Sequence, residues 1–360
     1  MRIDKDSSER LSVLRFPLIV GVVFIHAYGT NVGLSGGVVG FESQSFLSDF
    51  VQNLISQGVA RIAVPLFFLM SGYFYFLGFF WSIENYIKKL HSRLRTLLIP
   101  FIFWNTTTLF LLGLAQSIPA TQAYFSGKNA LIATFDTYDY VNAIIGLDRS
   151  PISFQFWFIR DLMVMALFAP LIHLFTKIVP ELFLIGLFLL WMFDYWLIYI
   201  PSTVAFVFFY AGAYFARSNI SLFALDRFGT AILSSYLVVL LIDTISKEYD
   251  FNNYIHKIGV LLGVASALYI SKFIVGIKNA KNVLMWAGSC SFFVFAVHQP
   301  LLTVLKKIIY KIVSPNSDVV ILFIYIAIPL IVITLSILLY LTLRKVTPKI
   351  LSTISGGRHT

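Results

Sequence analysis

The chain has 360 residues, of which 58% are hydrophobic, 17% aromatic and only 12% charged, with a mean hydropathy of +0.84 and a net charge of +10. Soluble domains carry about 25% charged residues, so this composition excludes a soluble globular protein and indicates that lipid surrounds most of the chain. The basic residues are scattered over short loops, which argues against a nucleic-acid partner, and the one cysteine, Cys290, excludes an intrachain disulfide.

Ten apolar segments follow one another along the chain, most of them near the length of about 20 residues that a helix needs to cross the hydrocarbon core. They predict an all-α, polytopic integral membrane protein with about ten transmembrane helices. The first segment is long enough to span and has no small-residue cleavage site after it, so we expect no cleavable signal peptide. The predicted spans are 11–29, 59–80, 96–116, 155–177, 181–199, 201–216, 228–246, 255–276, 284–305 and 319–343.

The charges of the loops indicate an orientation, because cytoplasmic loops carry an excess of Lys and Arg. With the N-terminus inside, most of the 27 Lys and Arg residues fall in cytoplasmic loops, which predicts both termini in the cytoplasm and a multi-pass protein of the cytoplasmic (inner) membrane. Residues 1–10 are then a cytoplasmic N-terminal segment, 11–343 the transmembrane domain with a long outer loop at 117–154, and 344–360 a short basic cytoplasmic tail. Three lysines argue against this orientation because it places them outside: Lys306, Lys307 and Lys311.

Ionisable side chains inside a span are functional candidates, because each costs about 2.5 kcal/mol or more at the membrane centre. With the orientation above, one set is expected at a similar depth in the outer half of the membrane: His26, Arg61, Arg160, Asp161 and His298. A second set of basic residues is expected at the inner mouth of the third span: Lys89, Arg93 and Arg95.

Arg15 and His26 lie eleven residues apart in the first span. At about 100° and 1.5 Å per residue, this separation returns to nearly the same helix face after a rise of about 16 Å. Such a stripe suits a long substrate that has a charge at one end and a reacting centre at the other. Alternatively, Arg15 reaches the cytoplasmic interface and His26 bonds a neighbouring helix; the spacing leaves both interpretations open.

Five motifs in chain order resemble membrane acyltransferase family 3, whose bacterial members O-acylate surface polysaccharides, lipopolysaccharide and other acceptors. The first is Arg15 with His26. The others are FFLMSGY at 67–73, RLRTLLIPFIFWN at 93–105, FWFIRDL at 156–162 and SFFVFAVHQP at 291–300. The last is similar to the family's aromatic and His-Pro element, here with Gln299 between His298 and Pro300. The resemblance covers about residues 10–343.

The resemblance implies an acyl-CoA-dependent O-acyltransferase, most simply an acetyltransferase with acetyl-CoA as co-substrate. Its acceptor would be a sugar hydroxyl of a lipid-linked or exported glycan such as O-antigen, capsule or exopolysaccharide. His26 would be the general base, since histidine has a pKa near 6.5, and Arg15 and Arg160 would assist it. Arginine donors match phosphate geometry, so the CoA-binding residues would be Arg93 and Arg95, with Lys89. No metal or haem is expected.

Several roles stay open at this stage. Arg160 or Arg61 could stabilise the oxyanion of a tetrahedral intermediate, or Arg160 could pair with Asp161. His298 could be a second catalytic group or make a packing hydrogen bond. Direct attack on the thioester and an acyl-histidine intermediate are both compatible with the residues. The acceptor sugar, the acyl chain and the oligomeric state are not readable from the sequence.

Two other functions compete with acyl transfer. Ten spans with buried charges also suit a glycan exporter, but an exporter has no need of the Arg15–His26 stripe, and no inverted repeat of the kind common in transporters is visible. A haem or metal protein needs paired histidines at matched depth, for which only His26 and His298 qualify.

Two further features of the sequence concern the outer loop and the second span. In the outer loop, Tyr138, Asp139 and Tyr140 could bind sugar or anchor the loop at the interface. In the second span, Ser71 and Gly72 are expected to let helices approach closely rather than to perform chemistry.

Overall fold

The computed structural model describes residues 4–41, 46–127 and 130–357. Residues 1–3 and 358–360 of the two predicted terminal segments, and 128–129 of the outer loop, lie outside the described residues. Within the described ranges the fold is helical except for one antiparallel hairpin, β1 (Asn31–Leu34) and β2 (Gly37–Gly40). The helices are α1 Lys5–Ala27, α2 Phe46–Gln52, α3 Ala63–Phe76, α4 Ile83–Ser117, α5 Thr137–Ile145, α6 Trp157–Leu167, α7 Ala169–Ile178, α8 Pro180–Met192, α9 Thr203–Arg217, α10 Gly229–Ile245, α11 Asn252–Gly276, α12 Lys278–Val313, α13 Asp318–Val346 and α14 Pro348–Ile354.

The all-α membrane fold is confirmed, but the count of ten spans is not. In the part of the chain that the structure describes, seven continuous helical segments are long and apolar enough to cross a membrane, or eight if α6 and α7, which meet at a 61° bend, form one span. Two of the seven are longer than the α-helices they contain: Phe46–Phe76 joins α2 and α3 through π- and 3₁₀-helical residues 53–62, and Ala224–Ile245 begins with 3₁₀-helical residues before α10. Each predicted span contains a helix, but α8 and α9 have only 13 and 15 residues. At 1.5 Å per residue they are about 20 and 22 Å long, shorter than the hydrocarbon core of about 30 Å.

The chain divides into two compact units. Unit 1 comprises the described residues of 1–22, 57–98 and 158–291, and unit 2 those of 23–56, 99–157 and 292–360. Of the five divisions, those after residues 22, 98 and 291 fall inside α1, α4 and α12, the one after 157 follows the first residue of α6, and the one after 56 falls in a π-helical turn.

In unit 1, α3 and α9 pack closely through two glycines. A Cβ added to Gly72 would lie 2.0 Å from the carbonyl oxygen of Phe209, and one added to Gly212 would lie 2.0 Å from that of Leu69. Small residues allow membrane helices to bring their backbones together in this way. The expected packing role of Gly72 is confirmed.

Two polar clusters of unit 1 join helices near their ends. At the start of α1, Arg10 donates to both carboxylate oxygens of Asp226 at 2.7 and 3.1 Å, and to the carbonyl of Leu268 at 2.7 Å. At the end of α10, Asp243 accepts from Lys247 at 2.6 Å and bonds His256 at 3.0 Å on α11. These charges are compensated within the fold.

In unit 2, internal contacts explain the three lysines that the orientation places outside. Helix α12 has 36 residues, about 54 Å at 1.5 Å per residue, so it is longer than the hydrocarbon core. Lys306 Nζ donates to the carbonyls of residues 27–29 at 2.8–3.2 Å. Lys307 donates to the carbonyl of Tyr124 at 2.8 Å, and the Lys311 ammonium lies 4.4 Å from the Tyr124 ring centroid. These lysines stabilise helix and loop ends.

Candidate active site

The end of α1 brings the two predicted intramembrane histidines together within unit 2. The ring of His26, in the last turn of α1, stacks on that of His298, with centroids 5.4 Å and planes 25° apart. The ring of Phe154 contacts His26 edge-on, with centroids 4.8 Å apart. The predicted pair is therefore in direct contact, with His26 half-buried and His298 fully buried.

A backbone carbonyl fixes the tautomer of His298. Its Nδ1 lies 2.6 Å from the carbonyl oxygen of Phe295. Because a carbonyl only accepts, Nδ1 carries the proton and Nε2 carries the lone pair. Nε2 is buried and has no hydrogen-bond partner among the described residues. An unprotonated imidazole nitrogen of this kind is a hydrogen-bond acceptor.

The proline of the motif at 291–300 explains a second buried polar side chain beside this pair. Pro300 has no N–H, so the carbonyl of Ala296, four residues earlier, loses its helical donor. Gln155 supplies the missing donor through Nε2 at 3.3 Å. Gln155 is itself buried, and its Oε1 has no partner among the described residues. The region thus presents two buried acceptor atoms that the fold leaves unsatisfied.

Two residues of α4, at and just after the end of the motif at 93–105, hold the chain segment that precedes Gln155. Buried Asn105 accepts from the backbone N–H of Ser153 at 3.1 Å, and the Ser153 hydroxyl bonds Thr108 at 2.7 Å. These bonds fix the chain immediately before Phe154, which contacts His26. The end of this motif therefore positions the segment that contacts His26.

The end of α1 that carries His26 is also fixed by side chains. The last four carbonyls of a helix have no partner inside the helix. The hydroxyl of Ser56 donates to the carbonyl of Phe24 at 2.5 Å, and Lys306 donates to the carbonyl of Ala27 at 3.2 Å. His26 therefore lies on a helix end whose carbonyls are bonded by the side chains of Ser56 and Lys306.

The five ionisable residues predicted in the outer half of the membrane are divided between the two units. His26 and His298 belong to unit 2, whereas Arg61, Arg160 and Asp161 belong to unit 1. Arg61 donates to the side chain of Gln57 at 2.9 Å.

The alternative in which Arg160 pairs with Asp161 is found in the structure. Arg160 Nε lies 3.3 Å from Asp161 Oδ1, and both residues are buried. Asp161 Oδ2 accepts from the backbone N–H of Ser202 at 2.8 Å, at the start of α9. The Arg160 guanidinium lies 5.2 Å from the ring centroid of Tyr199. Its role at an oxyanion stays a prediction.

The remaining predicted cations lie in unit 1, on α1 and α4. Arg15 has an exposed side chain on α1. Lys89 donates to the carbonyl of Tyr75, and Arg93 interacts electrostatically with both Lys89 and Tyr75. Arg95 is exposed on the other side of α4, because residues two apart do not share a helix face. The structure therefore groups two of the three predicted donor-binding cations.

The three outer-loop residues identified from the sequence bond to other residues of the same loop. Tyr138 donates to Asp148 at 2.9 Å, Asp139 forms an ion pair with Arg149 at 3.2 Å, and Tyr140 donates to a loop carbonyl at 3.0 Å. Hydrogen bonds from Asn142 and then Tyr138 lower the pKa of Asp148 below its ordinary 3.8. These contacts maintain the loop's own fold.

Within the ranges that the structure describes, no three His, Cys, Asp or Glu side chains are grouped to hold a metal ion. The histidine pair required by the haem alternative is stacked face to face. One nitrogen of that pair, Nδ1 of His298, already bonds a carbonyl.

Sequence reasoning missed Gln155, Asn105 and Lys306 as parts of this region. One signal was present for Gln155: a proline in a span frees a carbonyl, and a buried amide within an aromatic run can satisfy it. No comparable signal marks Lys306, since its partners are backbone carbonyls remote in sequence.

The comparisons with known proteins identify the family of the chain. The model of the acyltransferase domain family matches residues 8–342. The chain is 24% identical over 369 residues to the succinoglycan biosynthesis protein ExoH of Rhizobium meliloti (strain 1021), covering 99% of this chain and 94% of that protein. No solved structure matches the chain. Because the family model covers nearly the whole chain, including all five motifs, the protein belongs to membrane acyltransferase family 3.

Proposed function

We propose that this protein is an O-acyltransferase of the cytoplasmic membrane. It moves an acyl group, in the simplest case acetyl from acetyl-CoA, to a sugar hydroxyl of a lipid-linked or exported polysaccharide. The family supports acyl transfer, and a relative that aligns over nearly all of both chains is named for the biosynthesis of succinoglycan, a polysaccharide. The long apolar helices support a multi-pass membrane protein.

The observation that carries the proposal is the stacked histidine pair at the fixed end of α1. A sugar hydroxyl is a weak nucleophile unless a base takes its proton as it attacks. His26 is half-buried and can be reached by a substrate, so it is the proposed base. His298 is fully buried and holds the stack in one orientation through its bond to Phe295.

The proposed reaction is direct transfer. The hydroxyl oxygen attacks the thioester carbonyl, a carbon–oxygen bond forms, and His26 accepts the hydroxyl proton. The tetrahedral intermediate then collapses, the carbon–sulfur bond breaks, and the proton passes from His26 to the leaving CoA thiolate. The products are an acylated sugar and free CoA, so all atoms and charges balance.

Arg15 is proposed to bind a charged part of the donor. Helix α1 runs from Lys5 to Ala27, so Arg15 and His26 belong to the same helix. The Arg15 side chain is exposed. Lys89 and Arg93 are proposed to bind the donor phosphates.

The proposal is tested in a host that lacks the gene and that makes its own surface polysaccharide. Wild type, His26→Ala and the control His91→Ala are expressed, and ester-linked acyl groups on the polysaccharide are measured by mass spectrometry. His91 is exposed on α4 and has no proposed role. The amount of each protein in the membrane is matched before the comparison.

We expect ester-linked acyl groups with wild type and His91→Ala, and none with His26→Ala. If the amount of exported polysaccharide changes while its acylation does not, the exporter interpretation is right. If His26→Ala acylates normally, His26 is not the base.

A further inference from the structure

We propose that unit 1 contains a phosphate-binding site for the nucleotide end of acyl-CoA, formed by Tyr75, Lys89, Arg93, His173 and Arg217. These residues, with the nearby Lys177, are called the cationic cluster below. The inference rests on the proposed function, which requires a CoA donor. It adds Tyr75, His173 and Arg217, which come from α3, α7 and α9 and carry no signal in the sequence.

The members of the cluster are linked by a continuous series of contacts. Lys89 bonds the backbone of Tyr75 and lies 4.2 Å from the ring centroid of Phe79. The Phe79 ring contacts that of Trp81, with centroids 5.8 Å apart. Trp81 in turn stacks on His173, with centroids 4.5 Å and planes 9° apart.

The other cations lie beside the two ends of this series. Arg93 interacts electrostatically with Tyr75, and Arg217 and Lys177 do so with His173. The chain segments that meet here are the end of α3, the first turns of α4, the second half of α7 and the last turn of α9.

The cluster's cations lack carboxylate partners. Seven ion pairs occur among the described residues, and they neutralise basic residues such as Arg10, Arg160 and Lys257. None of the seven involves Lys89, Arg93, Lys177 or Arg217. Partly buried charges without a partner are costly, so an anion from outside the chain is expected to bind here.

Three polar atoms of the cluster are also buried without a hydrogen-bond partner among the described residues. They are the hydroxyl oxygen of Tyr75, Nδ1 of His173 and Nε of Arg217. The Tyr75 side chain is only 2% exposed. The hydroxyl and the guanidinium N–H can donate hydrogen bonds, as can a protonated imidazole nitrogen. Hydrogen-bond donors combined with unpaired cations match the oxygens of a phosphate group.

The aromatic residues orient the site. Stacking on Trp81 fixes the ring plane of His173, and Tyr86 packs on Trp81 with centroids 5.7 Å apart. The hydroxyl of Tyr86 is anchored to the carbonyl of Leu167 at 3.1 Å. CoA carries a diphosphate and a 3′-phosphate, so it can engage several separate cations at once, which a ligand with one phosphate cannot.

Binding of CoA to the purified protein tests the inference. Isothermal titration calorimetry is performed in a neutral detergent, which supplies no phosphate of its own. The variants are Arg217→Gln and Tyr75→Phe, with Arg227→Gln as the matched control because Arg227 is an exposed residue of the same unit. Thermal melting of each variant confirms that it is folded. Acyl transfer to the polysaccharide is measured in parallel.

Arg217→Gln is expected to weaken CoA binding by about tenfold or more, because it removes a charge-assisted hydrogen bond. Tyr75→Phe is expected to weaken it by a smaller factor, and Arg227→Gln to leave it unchanged. Dephospho-CoA, which lacks the 3′-phosphate, is expected to bind the wild type more weakly than CoA does.

Two results would overturn the inference in distinguishable ways. If the wild type binds CoA and transfers acyl groups but folded Arg217→Gln and Tyr75→Phe bind CoA equally well, the donor site is elsewhere and the proposed function stands. If the wild type neither binds CoA nor transfers acyl groups, the proposed function fails with it. Retention of phosphatidylglycerol that is lost in Arg217→Gln, with CoA binding unchanged, would assign the cluster to a lipid headgroup instead.

Discussion

Arg10 in unit 1 and His298 in unit 2 are both buried polar residues, but the fold satisfies them differently. Arg10 is 4% exposed and bonds Asp226, Ser271 and a carbonyl, with Phe223 on its face. His298 is 0% exposed, and only Nδ1 has a partner. A buried polar atom without a partner costs about 1–3 kcal/mol. Buried polar groups whose hydrogen bonds are made, such as Arg10, stabilise the fold. Buried polar groups with an unsatisfied atom, such as His298, keep that atom for another interaction.

The largest effect is expected at His26, because it is the proposed general base. His26→Ala should lower the rate of acyl transfer by about 100-fold or more, the usual contribution of a general base. The melting temperature in detergent should stay within a few degrees of the wild type. A variant that loses activity only in proportion to its loss of folded protein would contradict the catalytic role.

Arg10 should show the opposite pattern. Arg10→Met leaves Asp226 without its partner and should lower the free energy of unfolding by about 2 kcal/mol or more, since breaking a buried ion pair is strongly destabilising. Acyl transfer per folded molecule should stay the same. Thermal melting and the amount of protein in the membrane measure this, with the exposed Arg227→Met as control. Equal stability of the two variants would show that the Arg10 cluster does not hold α1.

His298→Asn sharpens the comparison within the histidine pair. The asparagine amide can keep a donor near the carbonyl of Phe295 but removes the unsatisfied Nε2. We expect a decrease of about tenfold in acyl transfer, smaller than the loss of about 100-fold or more expected for the base itself, with little change in melting temperature. Normal activity of this variant would support the packing interpretation of His298.

The smallest effect is expected in the outer loop, whose polar groups are satisfied but exposed. The pKa of Asp148 is lowered below 3.8, so its contribution to loop stability is present above that pH and is lost as the pH falls through the lowered value. Hydrogen-exchange protection of residues 137–148 should therefore decrease below about pH 3.8. Asp148→Asn should remove this pH dependence, and an unchanged pH dependence in that variant would assign it to another group.

Much of the fold could be predicted from the sequence because lipid imposes one dominant requirement, long apolar helices. Where the structure differs from the sequence-based prediction, the difference has a physical reason. Apolar segment 181–199 is long enough to span, whereas 201–216 is already short in the sequence, and α8 and α9 use only 13 and 15 residues as helix. Lys306 argued against the predicted orientation, but its charge is satisfied by helix-end carbonyls, which a count of loop charges does not consider.

The candidate site was predictable only in part. His26 and His298 could be paired from depth, since both lie in spans. Pro300 signals that the carbonyl of Ala296 is freed, but the sequence does not show that Gln155 is the side chain that bonds it. Arg217 could not be predicted either, because its selection depends on which cations have no carboxylate partner. Both conditions depend on tertiary contacts that local sequence patterns do not contain.

The most direct test of acyl transfer at His26 uses inverted membrane vesicles from a host that lacks the gene. Radiolabelled acetyl-CoA is supplied at the exposed cytoplasmic face, and label in the polysaccharide and lipid-linked fractions is measured for wild type and His26→Ala at matched protein amounts. We expect alkali-labile label with the wild type and background label with the variant. Equal labelling by both proteins would contradict the account of His26 as the base of the acyltransferase.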